Sequence, residues 1–114
     1  MAGLLAWLRY DVPSQATPFT VWQIQLGDKN EQFSQLEDQL AKCWSRKWLV
    51  PANYAEVLDF HSAVENFHDK VKVAADHCPA PYSEQFLELL DKGRWLKARA
   101  SDALAIVTLQ MGSD

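Results

Sequence analysis

Glycine is scarce in this chain, four residues in 114, and that scarcity already excludes several functions. A phosphate cradle is made of backbone N–H groups that glycine allows close to a ligand, and no Gly-rich phosphate loop with its lysine occurs here. The Gly-x-Ser-x-Gly elbow of a nucleophilic hydrolase is missing too. Cysteine is scarcer still: Cys43 and Cys78 are too few for a disulfide framework and lack metal-type spacing. Long apolar runs are also lacking. The opening MAGLLAWLRYDV holds only six consecutive apolar residues, with no basic residue before them and Arg9 directly after. That pattern predicts neither a signal peptide nor a membrane span, and it makes the cytoplasm the expected location.

Positive charge is in deficit as well. A net charge of −4 opposes attraction to phosphate backbones, so nucleic-acid binding would need a local basic patch. Lys92, Arg94, Lys97 and Arg99 are close in sequence, but a helical step scatters them around the axis, as on a solvated face. Neither nucleic acid nor membrane is an expected partner. What is present is ordinary for a globular protein, with 48% hydrophobic and 23% charged residues. The length suits one domain, residues 1–114, burying roughly two thirds of its unfolded surface. Tryptophan is the one excess, five residues, and rings of that size serve cores and interfaces alike.

The longest run with one unbroken period is Asn53 to Cys78. At about 100° per residue, Val57, Phe60, Val64, Phe67, Val71, Ala74, Ala75 and Cys78 gather into one apolar stripe, which predicts a helix that needs a partner. Asp28 and Glu31 have the form of a capping box after Gly27. A second helix is therefore expected from Asp28 to about Lys47, with the stripe Phe33, Leu36, Leu40, Cys43 and Trp44, before Val50-Pro51 turns the chain out of α geometry. The link is short, so these two helices should be antiparallel neighbours. Pro79 and Pro81 end the central helix, and Ser83 reads as the N-cap of a last helix running to Met111. Its stripe is Phe86, Leu89, Leu90, Gly93, Leu96, Ala100, Ala103, Leu104, Val107 and Met111.

The expected fold is mainly α: an antiparallel three-helix bundle with an N-terminal arm or short hairpin packed on it. The arm is residues 4–26, because Phe19 to Leu26 is β-branched and aromatic and Trp22, Ile24 and Leu26 alternate with glutamines. An α+β alternative forms a small sheet from residues 4–10, 19–26 and 103–110. Cys43 and Cys78 are expected as free, buried thiols, on the order of 30 Å apart and far beyond disulfide reach.

Three constellations invite a chemical reading. Glu65-x-x-His68, with His61 one turn earlier, has the spacing by which one helix offers a carboxylate and an imidazole to a metal in carboxylate-bridged bundles. A second such motif is lacking and Lys72 shares the row, so His61, Glu65 and His68 read as boundary residues and no metal or cofactor is expected. Glu56-x-x-Asp59 and Glu88-x-x-Asp91 resemble the paired carboxylates with which small helical nucleotide pyrophosphohydrolases hold magnesium. That resemblance implies a metal-dependent hydrolase as an alternative function, although the family's accompanying Glu-x-x-Glu is missing. The third constellation is a second apolar face on the last helix, where Leu87, Trp95, Ala98, Ala105, Ile106 and Leu109 are interrupted by Asp91 and Asp102; it reads equally as a surface covered by the N-terminal segment Leu4 to Leu26 and as an interface with another chain.

The favoured reading is a small acidic, non-enzymatic interaction protein. It acts through a helical surface and is a homodimer, or binds another protein, through Leu87, Trp95, Ile106 and Leu109. A different alternative is a small-molecule binder with a pocket drawn from Trp22, Trp44, His61 and His68, or lined by Trp22, Trp44 and Trp95.

Overall fold

A computed structural model of the chain describes residues 18–45 and 47–112. Helix α1 (Pro18–Cys43) leads through an irregular link and a single 3-10 turn (Pro51–Asn53) into α2 (Tyr54–His77), and two residues later α3 (Ala80–Gly112) begins. There is no strand among the described residues, and the long helices pack on one another as a mainly α three-helix bundle.

Buried positions explain the arrangement. In α2 they are Val57, Phe60, Val64, Phe67, Val71 and Ala74, and in α3 the regular series Phe86, Leu89, Gly93, Leu96, Ala100, Ala103 and Val107, with Leu90 buried beside it. Both series alternate steps of three and four, a 3.5-residue repeat that keeps one seam facing its neighbour when helices wrap around each other with a left-handed twist. In α1, Phe33, Leu40 and Cys43 are buried and Leu36 half-buried at the same spacing, which Trp22 and Leu26 extend backwards. Lys29 falls on this stripe too. Its side chain is largely covered while its ammonium reaches Asp28 at 3.9 Å, a lysine laying its stem along apolar surface.

Side-chain contacts set the directions. His61 Nε2 lies 3.2 Å from Ser101 Oγ, whereas Phe67 and His68 border Gly93, so α2 and α3 run antiparallel. Trp22 meets Phe86 edge-on, Lys92 lies over Phe33 and Arg99 over Trp44, so α1 runs parallel to α3. The seam between α2 and α3 is the most extensive contact of the bundle.

The link from α1 to α2 is held by its own hydrogen bonds. Leu49 N–H donates to Ser45 O (2.9 Å), Asn53 N–H to Val50 O (2.9 Å) and Asn53 Nδ2 to Trp48 O (2.6 Å). Leu49, buried, joins Val57, Ala103 and Val107 in a small cluster beyond the main core, with Trp44 touching both.

Several expectations are corrected. Residues 19–26 form the first two turns of α1 instead of a strand or arm, and residues 103–110 are helical, so the α+β alternative and its hairpin fall. Residues 4–10 lie outside the described residues. The alternation at 22, 24 and 26 misled because Trp22 and Leu26, one turn apart, face the bundle while Ile24 is exposed. Gly27 does not break the helix, although glycine there costs about 0.5–1 kcal/mol. Asp28 is no cap; its Oδ2 accepts from Gln32 Nε2 at 3.1 Å, one turn along. The first helix ends at Cys43, not Lys47, and the last starts at Ala80, with Pro81 in a first turn where its missing N–H leaves no bond unmade.

Both cysteines are free; Cys43 is buried, but Cys78 only half-buried, with its Sγ donating to Ala75 O at 3.6 Å. Burial pushes the Cys43 thiol pKa up, which withholds the reactive thiolate. With a thiol reagent under native conditions, Cys78 should react first and Cys43 only on unfolding. Equal rates, read by mass spectrometry, would contradict the burial. Because the shift is upward, the stability tied to the protonated Cys43 thiol is intact at neutral pH and is lost as rising pH passes from the ordinary thiol pKa, where the unfolded chain ionises, through the raised folded-state one.

Gly93 supplies a second test. A Cβ there would sit 3.6 Å from His68 Cδ2 and Phe67 Cε2, ordinary contact with no clash. Gly93→Ala should therefore gain about 1 kcal/mol of helix propensity and raise Tm by roughly 4–8 °C in a circular dichroism melt. A lower Tm would mean that the seam is too tight for a methyl group.

Candidate functional site

The inner face of α3 is fully used: Phe86, Leu96, Ala100 and Val107 have no measurable exposure. Among the described residues, nothing lies across its outer face. Leu87 is 53% exposed, Trp95 47%, Ile106 37% and Leu109 74%, and all four fall within about 100° of arc by the helical step. The apolar surface is concentrated in the second half of the helix, where Trp95 and Ile106 are eleven positions apart. That is three turns plus about 20°, so they sit at nearly the same azimuth about 16 Å apart along the axis. Ala98 and Ala105 lie beside them, and Asp102 sits between.

At the Ile106 end this face runs into a cleft of about 560 Å³ lined by Trp44, Ser45, Leu49, Ile106 and Gln110. Two contacts shape it. Gln110 Nε2 donates to Leu49 O at 2.9 Å, tying α3 to the link 61 positions earlier. The Arg99 guanidinium lies over the Trp44 ring, 4.2 Å from its centre, a cation–π stack that orders both side chains. Ser45, Leu49 and Gln110 were not foreseen as site residues. Ser45 and Leu49 belong to a link with no period and Gln110 to the last turns of α3, and nothing in the sequence marks a contact of that span.

The other predicted residues are dispersed. Trp22 lies at the start of α1 and Trp44 just past its end, on the order of 30 Å away; Trp95 lines a third, shallow groove with Phe33, Glu37 and Lys92. The structure brings no two of these three tryptophans into one pocket. Trp22 borders a groove between α1 and α2 with Lys29, Val73 and His77. His61 and His68 line none of these clefts.

On α2, His61 bridges Glu65 Oε1 (Nδ1, 3.4 Å) and Ser101 Oγ, so it links the two helices. His68 lies two turns on, and among the described residues no three His, Cys, Asp or Glu side chains converge as a metal site. The carboxylate pairs are likewise apart. The antiparallel register of α2 and α3 places Glu56 and Asp59 on the order of 20 Å from Glu88 and Asp91. All four are exposed, and Asp91 is engaged by Arg94 at 2.9 Å. Among the described residues no helix is long and apolar enough to cross a membrane.

Comparison of the chain with protein-family models, curated proteins and solved structures finds no match. The functional reading therefore rests on the geometry of the bundle.

His68 carries one anomaly of its own. Both ring nitrogens are buried with no hydrogen-bond partner, and Nδ1 is 3.7 Å from Asp69 Oδ1, beyond bonding distance. A buried donor left unmade costs about 1–3 kcal/mol, whereas an apolar group of similar shape escapes that penalty. His68→Leu should hold or raise Tm. A fall of several degrees would show that the imidazole has a structural partner.

Proposed function

We propose that this protein is a small acidic interaction protein with no enzymatic activity, and that it works as a homodimer through the outer face of α3. The observation that supports this reading is the exposure of Trp95, Ile106 and Leu109 on one face of a helix whose opposite face is already buried. Each apolar side chain of this size left in water forgoes about 1.5–3 kcal/mol of burial. Burying a shared patch twice across a two-fold axis is the commonest way a soluble protein recovers that energy. Arrangements for acid–base, nucleophilic or metal-assisted chemistry have no comparable support: the carboxylate pairs are exposed and far apart, the Cys43 thiol is buried, and the imidazoles of α2 are spent on helix contacts or enclosed.

Ile106→Glu tests the reading. The position is partly exposed, so the bundle should remain folded by circular dichroism. The added charge should disrupt the shared face, weakening association by about tenfold or more. Light scattering behind a sizing column should report a dimer for the wild type and a monomer for the variant. A monomeric wild type would exclude the homodimer.

A further inference from the structure

Resting on the homodimer reading, we infer that the two copies of α3 cross antiparallel, with the Trp95 ring of each copy seated in the Trp44–Leu49–Ile106 cleft of the other. Trp95 and Ile106 share an azimuth, so a two-fold axis passing between them, at the level of residues 100 and 101, carries each Trp95 onto the partner's Ile106. Large meets open in that register: an indole that buries about 150–250 Å² when enclosed faces a cleft of about 560 Å³. The seam between the two contacts carries Ala98 and Ala105, whose small side chains let the helix backbones approach.

The same operation sets Arg99 opposite the partner's Asp102, twice. Asp102 is exposed and has no ion-pair partner among the described residues, and the Arg99 guanidinium, stacked on Trp44, has no carboxylate there. The stack sets the guanidinium against Trp44, a residue of the cleft lining, and a stacked guanidinium keeps the edge geometry suited to a carboxylate. A parallel pairing would set Arg99 against the partner's Arg99 and Asp102 against the partner's Asp102. Charge complementarity thus selects both the partner, a second copy of this chain, and its direction.

Charge exchange reads the register directly. Asp102→Arg and Arg99→Asp should each weaken the dimer by about tenfold or more, because each puts like charges against each other at both contacts. Mixing the two variants should restore a dimer, since every facing pair in the mixed species is then opposite in sign. Trp95→Ala should weaken association while keeping the helical signal. If Arg99→Asp fails to fold, Asp102→Arg decides alone, as that side chain is exposed. A wild-type dimer that Asp102→Arg leaves intact, or variants that do not recover on mixing, overturns this register while the homodimer stands. A monomeric wild type overturns both, and leaves the face to residues 1–17 of the same chain or to a different protein.

Discussion

The seam between α2 and α3 is the constraint on which the rest depends. Val64 and Val71 from one side and Phe86, Leu96, Ala100 and Val107 from the other are completely enclosed, and their three-and-four spacing fixes the register of two long helices over most of their length. Once that seam is set, α1 has one groove to occupy. It enters with Trp22 against Phe86, inserts Phe33 and Leu40 into the main core, and leaves beside Val57 through the link around Leu49. A larger side chain in the place of Ala100 or Ala103 would push α3 outward and disturb both neighbours, because packed cores have no spare volume. Gly93, Ala100 and Ala103 face inward for this reason, whereas Trp95, Ile106 and Leu109 face outward.

How much of this was legible varied with how many physical signals coincided. For α2, an unbroken apolar period, a proline at each end and no competing β pattern all agreed, and its limits fall within one residue of those read from Asn53 to Cys78. For the start of α1, local signals conflicted with the global one. Phe19, Thr20, Val21 and Trp22 favour a strand on local propensity, and Gly27-Asp28 imitates a helix start. Trp22 and Leu26 nevertheless continue the stripe of Phe33 and Leu40, and the packing available along 26 residues outweighs an exposed glycine and a β-prone beginning. Ile106 to Thr108 posed the same conflict, and there the stripe through Ala103 and Val107 was the better guide.

The candidate surface was legible only in part. That α3 carries a second apolar face follows from its period, and Leu87, Trp95, Ile106 and Leu109 are all exposed. The cleft beside Ile106 could not be read. It is closed by Leu49 and Gln110, which meet only because a 3-10 turn and two hydrogen-bonded bends return the link against α3. Nor could the separation of the tryptophans: counting them suggested a shared lining, whereas the two-sided length of α1 holds Trp22 and Trp44 at opposite ends.

Why the outer face of α3 stays apolar, when α1 and α2 expose mostly polar residues beyond their seams, follows from the position of the helix. At 33 residues α3 is longer than either neighbour, and each of those covers only its inner flanks. Among the described residues, a bundle of three such helices buries one face of each and lays nothing across a second. Residues placed there for folding alone would be charged or small, as Lys70 and Asp76 are on α2. Trp95 (47%), Ile106 (37%) and Leu109 (74%) instead stay substantially exposed there, on either side of Asp102. Under the proposed two-fold rotation each Trp95 would meet the partner's Ile106 and each Arg99 the partner's Asp102, and that match is what the dimer reading adds to the single bundle.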